Sequence, residues 1–349
     1  MKPNTTVLLF CAASIFTSLL PASASAAKTL RYTDHEPYGN MRTRLIKETF
    51  FSAIESESLG RLKIDARWNG ELSTSYNALK TISQGDAADI GIVVPEYTPE
   101  QLPRHQMFKS FPLGPDNGAA QVNVFQRIFS EYQQFSNELE KNNLVNLQFF
   151  LGYPAGFFTT KPNVQLAQLN GSKWRTASFW HQSFLRNAGG VPVRMPWDEK
   201  ITDALQEGQL DGLLVNLDSG DDINAQRAAP YIQLSPSLWL GHVYLLVMNK
   251  TVWDNLDVQD RAAIQRAAAI TEKRLGAVLD ESLLAMAKKM EKEGTNVHFM
   301  TKSELNTWQA ATGYKQAQAE WVTQQESKGI NDAGMLMQGV SKIIAESMK

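Results

Sequence analysis

Histidines, cysteines and paired carboxylates are the side chains most often recruited for chemistry, and in this chain their spacing argues against it. The five histidines, His35, His105, His181, His242 and His298, form no H-x-x-x-H pair and have no cysteine partners, so no zinc site is expected. There is no G-x-S-x-G elbow, no G-x-x-x-x-G-K-[ST] loop and no G-x-G-x-x-G fingerprint. Gly189-Gly190 falls between a helical and a strand-like segment, where a helix C-cap is the simpler account. Asp221-Asp222 reads as a polar loop, because acid–base work needs a pocket that splits two pKa values. The expectation is a protein that is not an enzyme and that needs neither metal nor organic cofactor. Arg175 carries a different chemistry, since a guanidinium is always charged and its planar fork matches a carboxylate bidentately, as a lysine cannot. Taken alone it is an ordinary strand-end arginine.

The elements that would position these residues alternate along the chain. Leu30 to Thr33 reads as a strand, Met41 to Glu57 as a helix with Leu45, Ile46, Phe50 and Ile54 on one face, Leu62 to Trp68 as a strand, Tyr76 to Ser83 as a helix and Ala88 to Val94 as a buried strand. A helix over Ala120 to Lys141 leads into an apolar strand, Leu144 to Leu151. A second set follows: Lys173 to Thr176, Phe179 to Asn187, Val191 to Met195, Glu199 to Glu207 and Asp211 to Val215. Val243 to Met248 reads as a return strand, ahead of a long helical tract from Gln259 to Glu293. This βαβ alternation predicts an α/β fold of two lobes, each a mainly parallel sheet flanked by helices, joined by crossing hinge segments and a long inter-lobe helix. The expected division is a leader over 1–26, a first lobe over 27–150 with return segments from 243–260, a second lobe over 151–242, and the long helix with C-terminal packing helices over 259–349.

The leader combines Lys2, an apolar stretch from Val7 to Leu20 and the small-residue run ending Ala24-Ser25-Ala26, the pattern of a cleavable secretory signal. Its apolar run of about 14 residues is short of the roughly 20 that span a bilayer. Cys11 lies within it, so the mature chain would have no cysteine, and a chain of this size can bury enough apolar surface without disulfides. The formal charge is −2 and becomes −3 once Lys2 is removed, with 33 basic against 36 acidic residues. No basic bias points to nucleic acid or anionic lipid. A soluble periplasmic protein, not embedded in the membrane and monomeric, is expected.

The ordered segments then resemble one family. Trp68-Asn69-Gly70-Glu71-Leu72, followed by Ala78-Leu79 and Gly85-Asp86-Ala87-Ala88-Asp89-Ile90, is similar to the "P-N-G-Q-L … Q-x-G-x-x-D-[IM]" run of the solute-binding proteins of TRAP (tripartite ATP-independent periplasmic) transporters. Leu169-Asn170-Gly171-Ser172-Lys173-Trp174-Arg175 is similar to that family's "L-K-G-L-K-I-R". Val193-Arg194-Met195-Pro196-Trp197 with Ala204 to Gly212 resembles "P-x-P-[FW]-x-E-x-x-x-A-L-Q-x-G-x-x-D-G", and Asn249-Lys250 with Trp253 resembles "[IM]-N-K-x-x-W-x-x-L". The resemblance runs through nearly the whole mature chain in order. It implies a two-lobed receptor whose cleft closes on a solute and whose closed form docks on a membrane permease. It also implies that Arg175 makes the main contact with the solute's carboxylate and that Trp197 packs on the solute body. The family's "D-G-x-x-N" asparagine falls one residue late here, at Asn216; Ser178, Ser75, Tyr76 and His35 fall near its polar contacts.

One departure bears on the solute. Where many members carry a second arginine in "G-F-R-x-F/L-T-N", this chain has Gly152-Tyr153-Pro154-Ala155-Gly156-Phe157-Phe158-Thr159, and a dicarboxylate held by two arginines is disfavoured. Tyr153, Phe157, Trp174, Phe179, Trp180, Trp197 and Trp239 are expected around the site, which favours a monocarboxylate or sulfonate with an apolar, aromatic or cationic body. The competing readings are a binding protein of an ABC importer, a periplasmic sensor subunit and, further off, an exported enzyme.

Overall fold

The structure is a computed structural model that describes residues 27–195 and 200–349. The leader and Trp197 lie outside the described residues. Among the described residues eleven strands fall into two sheets. The first contains β1 (Lys28–Thr33), β2 (Leu62–Arg67), β3 (Ile90–Val93), β4 (Leu144–Leu151) and β10 (Val243–Asn249), in the order β2-β1-β3-β10-β4. The second contains β5 (Ala155–Thr159), β6 (Lys173–Arg175), β7 (Val191–Val193), β8 (Gly212–Asn216), β9 (Tyr231–Leu234) and β11 (Asn296–Phe299), in the order β11-β9-β5-β8-β6-β7. Each sheet has a parallel portion, β2-β1-β3 in one and β8-β6-β7 in the other, whose strands are joined by crossover connections of the kind parallel pairing requires. Each also has one antiparallel insert, β10 between β3 and β4, and β5 between β8 and β9. Those inserts are the strands entered on crossing between lobes, so the chain arrives from the opposite end of the sheet and has to run against its neighbours.

The helix expected over Met41 to Glu57 is continuous, but its middle, Leu45–Phe51, widens to a π-helix between the α-helical Met41–Arg44 and Ser52–Glu57. Leu45, Ile46, Phe50 and Ile54 are all buried, so the apolar face survives the change of pitch. The expected helix over Ala120 to Lys141 is instead two, Gly118–Glu131 and Gln133–Glu140, broken at Tyr132, whose backbone is extended. The long helix, Val258–Lys292, has 35 residues and is about 52 Å long. It packs on Gly118–Glu131, the π-helical segment and β4 of the first lobe, then on β11 and Leu217–Asp222 of the second. At the first contact the two helices nearly touch backbone to backbone, since a Cβ on Gly118 would lie 2.1 Å from the Gly276 carbonyl oxygen. At the far end Lys289 pairs with Asp221, 2.6 Å. The C-terminal helices close the seam: Trp321 packs on Trp180 of the second lobe, and Gln318 donates to the Ser110 carbonyl of the first.

Several of the motif residues hold this frame together. Asp89 accepts from the Arg31 backbone N–H at 2.8 Å and from its guanidinium at 2.7 and 3.0 Å, pinning β1 to the start of β3. Gly85 ends Ala78–Gln84 with φ +75°, and a Cβ there would come within 3.0 Å of the Asn249 side-chain nitrogen, which donates to the Ile82 and Ser83 carbonyls. Asp211 accepts from Lys173 N–H, and Gly212 lies under the Trp174 ring where a Cβ would be 2.6 Å away.

Candidate functional site

In open α/β sheets the carboxyl ends of parallel strands meet at a crevice, and polar groups carried just past those ends face it. Four strands deliver such groups here. Past β1 come Asp34, His35 and Glu36; past β3 come Glu96 and Tyr97; Arg175 ends β6, followed by Thr176 and Ser178; Asn216 ends β8, followed by Asp218.

On the first lobe Arg42 is 3 % exposed and serves two carboxylates. It donates to both oxygens of the fully buried Asp34, 2.7 and 2.9 Å, and to Glu36 at 2.6 Å, with its guanidinium carbon 4.3 Å from the Tyr244 ring centroid. Burial pushes both carboxyls up, and the Arg42 charge, its hydrogen bonds and the neighbouring His35 together outweigh it, so both end below the ordinary range. Glu36 also accepts from Asn40 and from the Tyr244 hydroxyl at 3.1 Å. His35 lies 3.7 Å from Glu36; burial lowers its pKa against the pull of Asp34 and Glu36, and its Nδ1 has no hydrogen-bond partner. Its ring meets Tyr97 edge-on at 6.3 Å, and Tyr97 packs at 4.8 Å on Tyr76, which is 69 % exposed beside Ser75.

On the second lobe Arg175 is 6 % exposed and its Nε donates to the Met195 carbonyl at 3.3 Å. Its charge reaches the Tyr97 hydroxyl of the opposite lobe: burial, Glu96 and Tyr76 push that phenol up, Arg175 pulls it down and Glu36 pushes it up again. The two lobes therefore face each other at Tyr97, with Arg175 and Glu36 both within its electrostatic reach. Ser178 is the N-cap of Phe179–Asn187 but makes no capping bond, leaving the first N–H groups of a nine-residue helix close behind Arg175. Asn216 donates to Asp218 at 2.6 Å, and Ser219 N–H donates to the same carboxylate oxygen at 3.0 Å. Burial, then Glu36 across the gap and Asp222 beside it, push the Asp218 carboxyl up to about 7. The more exposed Asp222 is pushed up to about 6 by burial, Glu36 and Asp221.

Deeper at the hinge, Lys109 pairs with Glu96 and donates to His242 Nδ1 at 2.7 Å. Burial lowers the Lys109 ammonium and drives His242 well below its usual value; His181 on the second lobe is held at about 3 by burial and by Lys109.

The expected aromatic residues divide. Tyr153 is buried on the crossing segment, where burial first and then the charge of Asp218 push its hydroxyl up. Trp174 is 1 % exposed and packs on Phe157, donating its indole N–H to Ser172. Successive strand residues point to opposite faces, so Trp174 turns into the core because Arg175 turns out of it. Trp239 is likewise buried, stacked on Phe125 with its N–H on the Phe108 carbonyl, and packs the hinge. Neither offers a solute a face. Phe179 is 46 % exposed and lies on Trp180. Glu36, Glu96, Tyr97, Lys109, His181, His242 and Asp218 were not legible as site residues; only their position just past strand ends, for those that have it, could have singled them out.

Among the described residues no group of three His, Cys, Asp or Glu could hold a metal ion, and no helix is long and apolar enough to cross a membrane. Comparison with known proteins agrees with this architecture. Residues 40–320 match the model of the bacterial extracellular solute-binding protein family 7. A solute-binding protein of Chromohalobacter salexigens is 23 % identical over 261 residues, 72 % of this chain and 73 % of that one. Among solved structures, a TRAP solute-binding protein of Rhodoferax ferrireducens in complex with copurified benzoate superposes with TM-score 0.78 at 20 % identity, covering 92 % of this chain and 98 % of that one. A TRAP periplasmic solute-binding protein of Desulfovibrio salexigens gives 0.75 at 21 % identity, covering 92 and 97 %. An extracytoplasmic solute receptor of Bordetella pertussis binding pyroglutamic acid gives 0.73 at 20 %, covering 90 and 100 %. The chain belongs to this family, the solute-binding proteins of TRAP transporters.

Proposed function

We propose that the chain is exported to the periplasm, where it captures a small organic anion between its lobes with Arg175 as the principal anchor and delivers it to a TRAP-type permease. The observation that carries the reading is the position of Arg175, a nearly buried guanidinium at a strand end, opposed by Tyr97 of the other lobe. A carboxylate there would be met by a charge-assisted fork and by the open N-terminus of Phe179–Asn187. Binding groups on both lobes give the solute more contacts in the closed state than in the open one, which is the differential affinity that closure requires. A single carboxylate is supported by the Ala155-Gly156 sequence in place of a second arginine; benzoate and pyroglutamate, bound by two of the similar structures, each carry one carboxylate on a compact ring. Calorimetry on the mature protein tests it. Monoanions are expected to bind, C4-dicarboxylates to bind less well, and Arg175→Ala to weaken every ligand. Binding of dicarboxylates alone, or an unchanged Kd in Arg175→Ala, would overturn it.

A further inference from the structure

The two strand-to-strand links between the lobes, 152–154 and 235–242, meet at one residue of the first lobe. His242 is the last residue before β10, and its carbonyl accepts from Gly152 N–H at 2.9 Å, so the residue that closes one link holds the residue that opens the other. Its ring also lies against Gly152, where a Cβ would come within 3.0 Å of Cδ2, and meets Tyr244 edge-on at 4.5 Å. Ring Nδ1 takes a hydrogen bond from Lys109 Nζ at 2.7 Å. Lys109 ends the short helix Arg104–Lys109 and is ion-paired with Glu96 of Pro95–Tyr97, the turn that carries Tyr97 to the candidate site.

The same stretch of the first lobe supports the rest of the second link. Trp239 donates its indole N–H to the Phe108 carbonyl at 2.8 Å, and Gly241, at φ +60°, presses on that carbonyl so closely that a Cβ would lie 2.1 Å from its oxygen. These are neutral contacts to backbone. The bond from Lys109 to His242 is charge-assisted and nearly sealed, the side chains of His242, Lys109 and Glu96 being 8, 11 and 13 % exposed. An ammonium can only donate, so Nδ1 is unprotonated and the neutral ring carries its hydrogen on Nε2. Glu96 lies 3.5 Å from Nδ1; the charges of Glu36, His35 and Arg42 also reach the ring, and a charge on the ring would reach His181.

We propose that Lys109 and His242 are positioning residues for solute binding: their bond clamps the first-lobe ends of both links together and onto the turn that bears Tyr97, so that the lobes pivot at 153–154 and 235–241 along one path. Links freed at this end would let the lobes sample orientations that the solute then has to select against, and the affinity falls with the fraction of molecules competent to bind. This inference rests on the reading of the cleft as the solute site and names what sets its closing path.

Two substitutions separate the bond from the packing. His242→Asn sets an amide oxygen where Nδ1 stands and keeps the acceptor without the ring; His242→Phe keeps the ring against Gly152 and Tyr244 without the acceptor. With benzoate and pyroglutamate as probes in calorimetry, His242→Phe is expected to bind about tenfold more weakly than the natural chain and His242→Asn to stay within about threefold of it. Spin labels at Lys63→Cys and Lys161→Cys, exposed positions on opposite lobes of a mature protein with no cysteine of its own, read the path directly. Without solute, the distribution of distances between the labels should broaden in His242→Phe and keep its natural width in His242→Asn. Should His242→Phe fail to fold, Lys109→Met with Glu96→Gln removes the same bond from the other side without stranding a charge and should broaden the distribution equally. An affinity in His242→Phe equal to the natural chain's, a loss in His242→Asn as large as in His242→Phe, or an unbroadened distribution would each overturn the proposal. An unchanged Kd in Arg175→Ala would fell the anchor reading instead, and the label distances would still decide the clamp.

Discussion

The carboxylates of the first lobe and those of the second stand in opposite electrostatic conditions. Asp34 and Glu36 are buried around a guanidinium and held ionised; Asp218 takes the Asn216 and Ser219 dipoles, Asp222 lies in the field of Lys289, and burial pushes both towards the neutral form. The first arrangement is complete within the fold, and its value is structural. The second lacks such a cation, and carboxyls raised in this way are most common at functional sites.

The contrast can be broken most forcefully at Arg42. Arg42→Met should destabilise the protein by about 3 to 5 kcal/mol, because it strands two buried carboxylates, and the loss should be read as a fall in Cm at unchanged m in urea. If stability hardly moves, the first lobe is not the self-sufficient half. Arg175→Ala should cost about 2 to 4 kcal/mol of solute affinity by calorimetry, and Arg175→Lys should recover only part, since the charge returns without the fork.

The two kinds of buried group also give opposite pH slopes. His181 is lowered to about 3, so the folded state binds fewer protons than the unfolded one: its contribution is full above pH 6.5 and is lost as pH falls through that value towards 3. About 2 kcal/mol should be gone by pH 5, and His181→Gln should flatten that limb of the Tm profile. Asp218 is raised to about 7, so the folded state binds more protons than the unfolded one between pH 4 and 7; its contribution is full below about 4 and is lost as pH rises through 7. Asp218→Asn should therefore be more stable than the natural chain by about 1 kcal/mol at pH 8, after allowance for partial exposure, with the gap closing towards pH 4. A gap that widens on acidification would mean that Asp218 is paired after all.

The frame was legible where the signal is local. Phe179 to Asn187 and Leu144 to Leu151 are found as read, because each is a run whose apolar pattern is decided by its own face. The π-helical turn was not legible, since one extra residue per turn leaves the apolar face over Met41 to Glu57 unchanged. The strand Ala155–Thr159 escaped because all five of its residues are buried and no alternation marks it. Within the site, Arg175 was reached only through the motifs around it. Trp174 beside it was misplaced, although a period of two already requires neighbours in a strand to part company. Glu36, Asp218 and Tyr244 could not be grouped at all: Tyr244 meets Glu36 across 208 positions, and only the crossings bring them together.

The long helix has a mechanical consequence. Its first half is keyed to one lobe by the Gly118 and Gly276 contact and its far end is tied to the other through Lys289 and Asp221. Bending such a rod would break its ladder of backbone bonds, so closure of the cleft proposed above would have it serve as a spindle, with the rotation falling on the irregular links at 152–154 and 235–242. Tyr153, Trp239 and His242 lie on those links, so the links that would take up closure carry side chains beside the candidate site.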